Sequence, residues 1–384
     1  MRILVVNRAV FRVPPESSGG GAETHGYLLA NTIASLGHQV FFVGKVRKEA
    51  DFDRAVVVVN VPPVRGVIPP DTSLLGWTLK HFFGNILSFL TALRVLARQH
   101  FKVDVIHCHG SLASLLLARF VGWKIPVVYT MHDPTPWIAS YPKTVSRLVR
   151  KSVFLLIELP CIKNARHILV ASPVLRRELT RWGIPPSAVT FVPSGIAIRA
   201  HEKTDQLSER YGLFVGRLES RKRVDVILQA MSKLRVPVNF TIVGEGPEKT
   251  ALVRLANSLG LGQVKFTGFV SKSKLEGYYS KASFFVFPSS AEGLPLALLE
   301  AMSYGLPTIT AVSSSYSEIL TPEVDTLSFE VFDPEQLTKC IQRIQDDHDL
   351  KNRLSAASVS SISERFSWDR VAAEVLLIFR QLSS

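Results

Sequence analysis

Short runs of apolar, largely β-branched residues alternate along the chain with longer stretches whose apolar positions recur at helical spacing. Ile3-Leu-Val-Val6 is the first run, and a helix follows over 22–36, closed by Gly37. Val40–Val43, Val56–Asn60, Val103–His107, Val127–Thr130 and Ile168–Ala171 continue the series. The stretch 201–210 has no apolar period. A second series then begins with Leu213–Val215, Asn239–Val243, Val264–Phe266, Phe284–Phe287 and Thr308–Thr310. Such alternation builds parallel sheets covered by helices on both faces. The pattern predicts an α/β protein of two Rossmann-like domains, 1–200 and 201–366. The last segment, 367–384, holds an amphipathic helix that completes the second domain or packs back onto the first.

Composition narrows the class. Hydrophobic residues make up 47% of the 384 and charged residues 20%, which excludes a disordered polyelectrolyte. The net charge of +13 is unevenly placed. Residues 1–200 hold 24 basic and 10 acidic side chains, or +14; residues 201–384 hold 21 and 22, or −1. The first half is therefore the one that attracts an anionic partner. Residues 78–102 carry Lys80, Arg94, Arg98 and Lys102 with no acid, interleaved with Phe82, Phe83 and Phe89. A basic amphipathic helix of this kind lies on anionic lipid or presents an ordinary solvated face. Cys108, Cys161 and Cys340 are widely spaced, so neither a disulfide framework nor a zinc site is expected. No run reaches the ~20 apolar residues that span a bilayer. The chain enters a strand at once, leaving no room for a signal peptide. The expected location is cytoplasmic, with a peripheral place at the inner membrane face.

Several strand ends carry candidate chemistry. Gly19-Gly-Gly-Ala-Glu-Thr-His25 opens the first helix, where backbone N–H groups approach an anion closely. Asp104–Gly110 places His107 and His109 at a strand's carboxyl end, where open α/β sheets bind ligands. His109 is read as a substrate contact and His107 as structural; His132, ending the next strand, is a second cleft candidate. Gly216-Arg217 and Lys222 follow another strand, and an arginine fork beside a lysine point charge suits a diphosphate. Val243-Gly-Glu245-Gly-Pro247 repeats the strand–glycine–helix plan and puts Glu245 near the cleft. Glu292-Gly293-Leu294-Pro295 follows Phe284–Phe287, with backbone N–H groups of Gly293 and Leu294 set for a phosphate. Glu292 is placed to accept hydrogens from sugar hydroxyls, and Glu300 further along the helix from a ribose. Asp51-Phe-Asp53 and Asp346–Asp349 read as solvated charge, and no metal site is expected.

These blocks, in this order, resemble the retaining GT-B glycosyltransferases of family 4, together with Val127–Asp133, Gly268–Ser271 and Phe366–Asp369. The resemblance spans almost the whole chain, although 45–100 matches little beyond length. It implies two Rossmann-like domains facing a central cleft, a nucleotide-diphosphate-sugar donor held mainly by the second and an acceptor by the first. Arg217 and Lys222 match the residues on the donor diphosphate, and Glu300 the ribose ligand. Glu292 matches the carboxylate beside the donor sugar, and His109 the histidine facing the reacting sugar. Gly20 and Gly21 match the loop that approaches the phosphates. Retention of anomeric configuration is implied without a metal or other cofactor, by a front-face route in which a leaving phosphate oxygen helps deprotonate the acceptor. The resemblance does not extend to the acceptor, which is read as a lipid-linked sugar or a surface polysaccharide because either would bring an anionic membrane surface close to the basic first domain. Two rivals stand beside this reading. One is a catalytically silent homologue that binds nucleotide-sugar or lipid and regulates a partner. The other is a nucleic-acid binder, disfavoured because no nucleic-acid motif accompanies the basic charge.

Overall fold

The computed structural model describes residues 1–7, 21–47, 51–62, 74–132, 159–199, 211–290, 292, 294–312 and 319–384. For 21–23, 74–81 and 111 only the backbone is described. The chain divides into two compact units, Met1–Gly195 with Trp368–Ser384, and Ile196–Ser367.

Seven parallel strands form the sheet of unit 1: β1 (Arg2–Val6), β2 (Gln39–Gly44), β3 (Val56–Asn60), β4 (Val105–Cys108), β5 (Val127–Met131), β6 (His167–Val170) and β7 (Val189–Phe191). Their spatial order is β3-β2-β1-β4-β5-β6-β7. Helices α1 (Gly21–Ser35), α2 (Leu74–Arg98), α3 (Ser111–Phe120), α4 (Leu159–Asn164) and α5 (Pro173–Arg181) supply the crossovers. Gly37, at φ +86°, ends α1 in the left-handed region that favours glycine. Six parallel strands form the sheet of unit 2: β8 (Tyr211–Val215), β9 (Phe240–Val243), β10 (Val264–Gly268), β11 (Ala282–Phe287), β12 (Thr308–Ala311) and β13 (Leu327–Phe329). Their order is β10-β9-β8-β11-β12-β13. Here the helices are α6 (Val224–Met231), α7 (Lys249–Ser258), α8 (Lys272–Lys281), α9 (Leu296–Ser303), α10 (Pro334–Asp346) and α11 (His348–Arg365). Counted from its own first strand, each sheet contains the Rossmann order 3-2-1-4-5-6, and that of unit 1 adds a seventh strand after it. Strand order therefore reverses between β1 and β4, and again between β8 and β11. At those two places the following loops diverge and leave a crevice at the carboxyl ends.

Each core follows from periodicity. In α2, Phe89, Ala92, Val95 and Leu96 are buried against one face of the first sheet, at the spacing of a single helical side. The opposite face is covered by α1 and by the closing helix α12 (Trp368–Ser383). From α12, Val371, Val375 and Phe379 enter that core, and the Phe379 ring lies 5.3 Å from the His107 ring. Gly195 permits the return of the chain: a Cβ there would sit 2.2 Å from the Trp368 indole. The Asp51–Asp53 stretch is structural, with Asp53 accepting from the Ala55 N–H at 2.8 Å. Asp347 caps α11 by accepting from the Leu350 N–H. Among the described residues no helix is long and apolar enough to cross a membrane.

Phe379→Ala is expected to destabilise unit 1 by about 3–5 kcal/mol through the cavity it leaves. Urea unfolding followed by unit-specific probes should show that transition moving while the transition of unit 2 stays.

Candidate active site

In unit 2 the site grows from two loops at the point where strand order reverses. After β8 the chain passes Gly216 and Arg217 into a single 3-10 turn, Ser220–Lys222. Arg223 then takes a left-handed φ of +51° before α6 begins. A non-glycine residue held there stores about 1–3 kcal/mol of strain. The bend leaves Lys222 inside: its side chain is 10% exposed, and its ammonium lies 5.1 Å from the centre of the Phe287 ring. After β11 the Ser290 N–H donates to the Arg221 carbonyl at 2.9 Å, tying the second loop to the turn. Glu292 is thereby brought to the cations. Its Oε1 lies 2.5 Å from Lys222 Nζ and 3.1 Å from an Arg221 guanidinium nitrogen. Burial lowers the Lys222 ammonium below its ordinary pKa, and the Glu292 carboxylate opposes that fall.

Two glycines of the β9 loop allow the close approach. A Cβ on Gly244, at φ +145°, would meet the Gly216 carbonyl at 1.9 Å, and one on Gly246 the Leu218 carbonyl at 2.2 Å. Arg217 is exposed and pairs with Glu219 at 2.9 Å. Glu245 is also exposed and pairs with Lys249 at 2.5 Å. Pro295 precedes α9 as its N-terminal cap, with Leu294 half-buried just before it. One turn in, the Tyr279 hydroxyl of α8 donates to Glu300 Oε2 at 3.1 Å. Tyr304 stacks on Tyr279 with ring centres 5.3 Å apart. Burial raises the Glu300 carboxyl above its usual range, and the Tyr279 hydrogen bond works against that rise.

In unit 1 four histidines gather toward the carboxyl ends of β1, β4 and β5, His107 from within β4 and the others from beyond the strands or from α1. His109 is fully buried, and its Nδ1 lies 2.9 Å from Nε2 of His132, which is half-buried. Of this pair, His132 is the member with surface. The His107 ring is 4.4 Å from that of His109, so both do face one side, and its Nε2 lies 2.6 Å from the Thr130 hydroxyl oxygen. His25, from α1, stands edge-on to His132 at 4.9 Å, with its Nδ1 3.2 Å from the Ser194 hydroxyl oxygen. Gly26 lets α1 come this close: a Cβ there would be 2.9 Å from Asn7 Oδ1 and 3.1 Å from the His109 ring. Among the described residues no three histidine, cysteine or carboxylate side chains are placed to share a metal ion.

Two family models match the chain in tandem. "Glycosyltransferase Family 4" covers residues 19–199, and "Glycosyl transferases group 1" covers residues 199–359. This chain belongs to the GT-B glycosyltransferases of family 4. An uncharacterized glycosyltransferase of Methanocaldococcus jannaschii is 25% identical to it, over 99% of this chain and 98% of that protein. An alpha-monoglucosyldiacylglycerol synthase of Acholeplasma laidlawii is 24% identical, over 85% of each chain. The solved structure of Anabaena HepE in complex with UDP shares the fold, with a TM-score of 0.70 and 16% identity over 99% of this chain and all of that one.

The structure brings some of the sequence-predicted residues together and leaves others apart. Lys222 and Glu292 come together, with Gly216 beside them; Glu300 stands apart on α9. Gly20 and Gly293 lie outside the described residues, and Gly21 is described only as the first residue of α1. Three contributors escape sequence reasoning. Arg221 sits in the run Arg221-Lys222-Arg223, and only the fold of the turn decides which cation points inward. Tyr279 reaches Glu300 from another helix, and His25 reaches His132 likewise.

Burial lowers His25 from 6.5 to about 4 and His107 from 6.5 to about 3. Below pH ~6.5 the unfolded chain takes up protons that the folded unit refuses, so stability present above that pH is lost as pH falls. Each histidine contributes a loss of up to about 1.4 kcal/mol per pH unit. Urea unfolding of unit 1 between about pH 7 and pH 5 should show this decline, and a flat profile would contradict the buried cluster.

Proposed function

We propose that this enzyme transfers a hexosyl group from a nucleotide-diphosphate-sugar to a hydroxyl of a lipid-linked or surface-polysaccharide glycan, with retention and without a metal ion. The observation that carries this reading is the buried Lys222 ammonium, set with Arg221 and Glu292 where the strand order of unit 2 reverses. Cleavage of a sugar–phosphate bond gathers negative charge on the leaving diphosphate. Lys222 and Arg221, already gathered at the site, supply positive charge there once the phosphates displace Glu292, and Arg217 adds to it on leaving Glu219. Glu292, released from the cations by the arriving phosphates, accepts hydrogens from the donor sugar. Glu300 accepts from the ribose hydroxyls, and the backbone N–H of Leu294, just ahead of α9, meets a phosphate. Glu245 remains at the rim.

Unit 1 takes the acceptor. His132 presents its exposed edge to the reacting sugar, and the buried His109 holds it in place. The acceptor hydroxyl loses its proton to a departing phosphate oxygen on the same face, so the new bond forms with the configuration of the old. The acceptor class is supported by the surplus charge of residues 1–200 and by the glycolipid product named in the Acholeplasma relative. A place at the inner face of the cytoplasmic membrane follows from that acceptor. UDP-sugars come first among donors because HepE was solved with UDP.

A panel of nucleotide-sugars, with nucleoside diphosphate release measured with and without lipid extract, tests the reaction. The anomeric proton coupling of the product tests retention. Lys222→Ala is expected to lower kcat/KM by about 10²–10³-fold while leaving acceptor binding nearly unchanged; full turnover in that variant would sink the assignment. Tyr279→Phe removes the donor that favours the ionised Glu300. Nucleoside diphosphate binding, which weakens as that carboxylate protonates, should then fail at a higher pH than in the wild type. Binding titrations across pH read the direction, and an unmoved midpoint would separate Tyr279 from the ribose contact.

A further inference from the structure

One carboxylate holds both arginines of the loop after β8. Glu219 accepts from Arg217 Nε through Oε1 at 2.9 Å and from Arg221 Nε through Oε2 at 3.0 Å. Arg221 in turn reaches Glu292, which Lys222 also meets. Arg217, Glu219, Arg221, Glu292 and Lys222, in that order, form a row of alternating sign, with three cations against two carboxylates. The backbone fixes Glu219 in this row. Its N–H donates to the Arg217 carbonyl at 3.0 Å, and its carbonyl accepts from the Lys222 N–H at 2.9 Å. Its side chain is 27% exposed, against 71% for Arg217 and 45% for Arg221, so it is the less exposed partner in both pairs.

The proposed transfer gives Glu219 no contact with substrate, and its charge opposes the diphosphate that the three cations attract. That opposition is unequal for the two ligands of the site. In a nucleotide-diphosphate-sugar each phosphate is esterified on both sides and carries one negative charge. The nucleoside diphosphate left behind ends in a free phosphate whose second proton leaves near pH ~6, so above neutral pH it carries close to one charge more. A row of cations alone would hold this product more tightly than the donor, and turnover would stall at release. A fixed negative charge in the row weakens the product more than the donor, because repulsion grows with the charge of the ligand. Exposed arginine–carboxylate pairs are weak, so the two arginines leave Glu219 readily for a phosphate and return when it departs. We propose that Glu219 is the counter-charge that releases the nucleoside diphosphate, a positioning residue that takes back Arg217 and Arg221 and sets donor affinity against product affinity. The inference rests on the proposed donor site, because it needs a diphosphate beside Lys222.

The test is equilibrium titration of the whole chain with UDP and with UDP-glucose, for the wild type and for Glu219→Gln. Glutamine keeps the length and an acceptor oxygen and removes the charge. At about pH 8 the variant should bind UDP about tenfold more tightly and UDP-glucose only about threefold more tightly. In steady-state transfer UDP should inhibit the variant at about a tenth of the wild-type concentration. At about pH 5.5, where the free phosphate of UDP takes up its proton, the two ligands should gain nearly equally. Glu219→Asp, which keeps the charge, should keep the wild-type ratio of the two affinities. A residue that merely ordered the turn would give the opposite sign, with both ligands weakened in Glu219→Gln at either pH. That result overturns the proposal, and so does a ratio of the two affinities that Glu219→Gln leaves unmoved. If neither ligand binds the wild type, the proposed UDP-sugar site falls and this inference falls with it. Wild-type binding with an unmoved ratio strikes Glu219 alone.

Discussion

A parallel strand can be joined to its neighbour only by a crossover, so every carboxyl end in a parallel sheet lies on one edge. That constraint governs both units. The strands deliver their final residues to a shared edge, and the helices that follow begin there, with free N–H groups pointing the same way. Where the strand order reverses, neighbouring loops leave in opposite directions. Lys222 after β8 and Glu292 after β11 meet in that opening; in the other sheet His109 follows β4 at the reversal and meets His132, which follows the neighbouring β5.

The meeting of Lys222 with Glu292 is poor as a stabilising device. Removing two charges from water costs several kcal/mol per ion, and mutual attraction roughly offsets it. It gathers cations in one place, with Arg223 in a left-handed conformation and the Ser290–Arg221 hydrogen bond holding the turn, as the proposed phosphate contact requires. The glycines at 244 and 246 serve the same end by letting the β9 loop press against the β8 loop. Stability comes from elsewhere, chiefly the apolar layers on either side of each sheet. A site built this way can be charged and strained because the scaffold beneath it is not.

The long strands and the amphipathic helices were legible because each is buried on a repeating set of positions. Strands β7 and β13 were not: Val189–Phe191 and Leu327–Phe329 have three residues each, too few to display a period. Among site residues, Lys222, Glu292 and Glu300 could be read because each follows a recognisable strand end or helix start. Arg221 and Tyr279 could not, since a side chain's aim in a 3-10 turn and a contact between helices are properties of three dimensions. His109 shows the intermediate case. Its position at a strand end was readable, yet its complete burial, with His132 outermost, depends on how closely Gly26 lets α1 approach.

Unit 2 is a single uninterrupted stretch, whereas unit 1 is assembled from both ends of the chain. The entry and exit of that stretch run together: Ile196 pairs in parallel with Ser367, and the Ile196 N–H donates to the Phe366 carbonyl at 2.7 Å. On the other side of the boundary, Gly195 lies against Trp368. Unit 2 is in effect a cassette set into its host, entering and leaving through one doorway. An exchange at that doorway would replace the whole of unit 2 while the rest of the chain closed over the same seam.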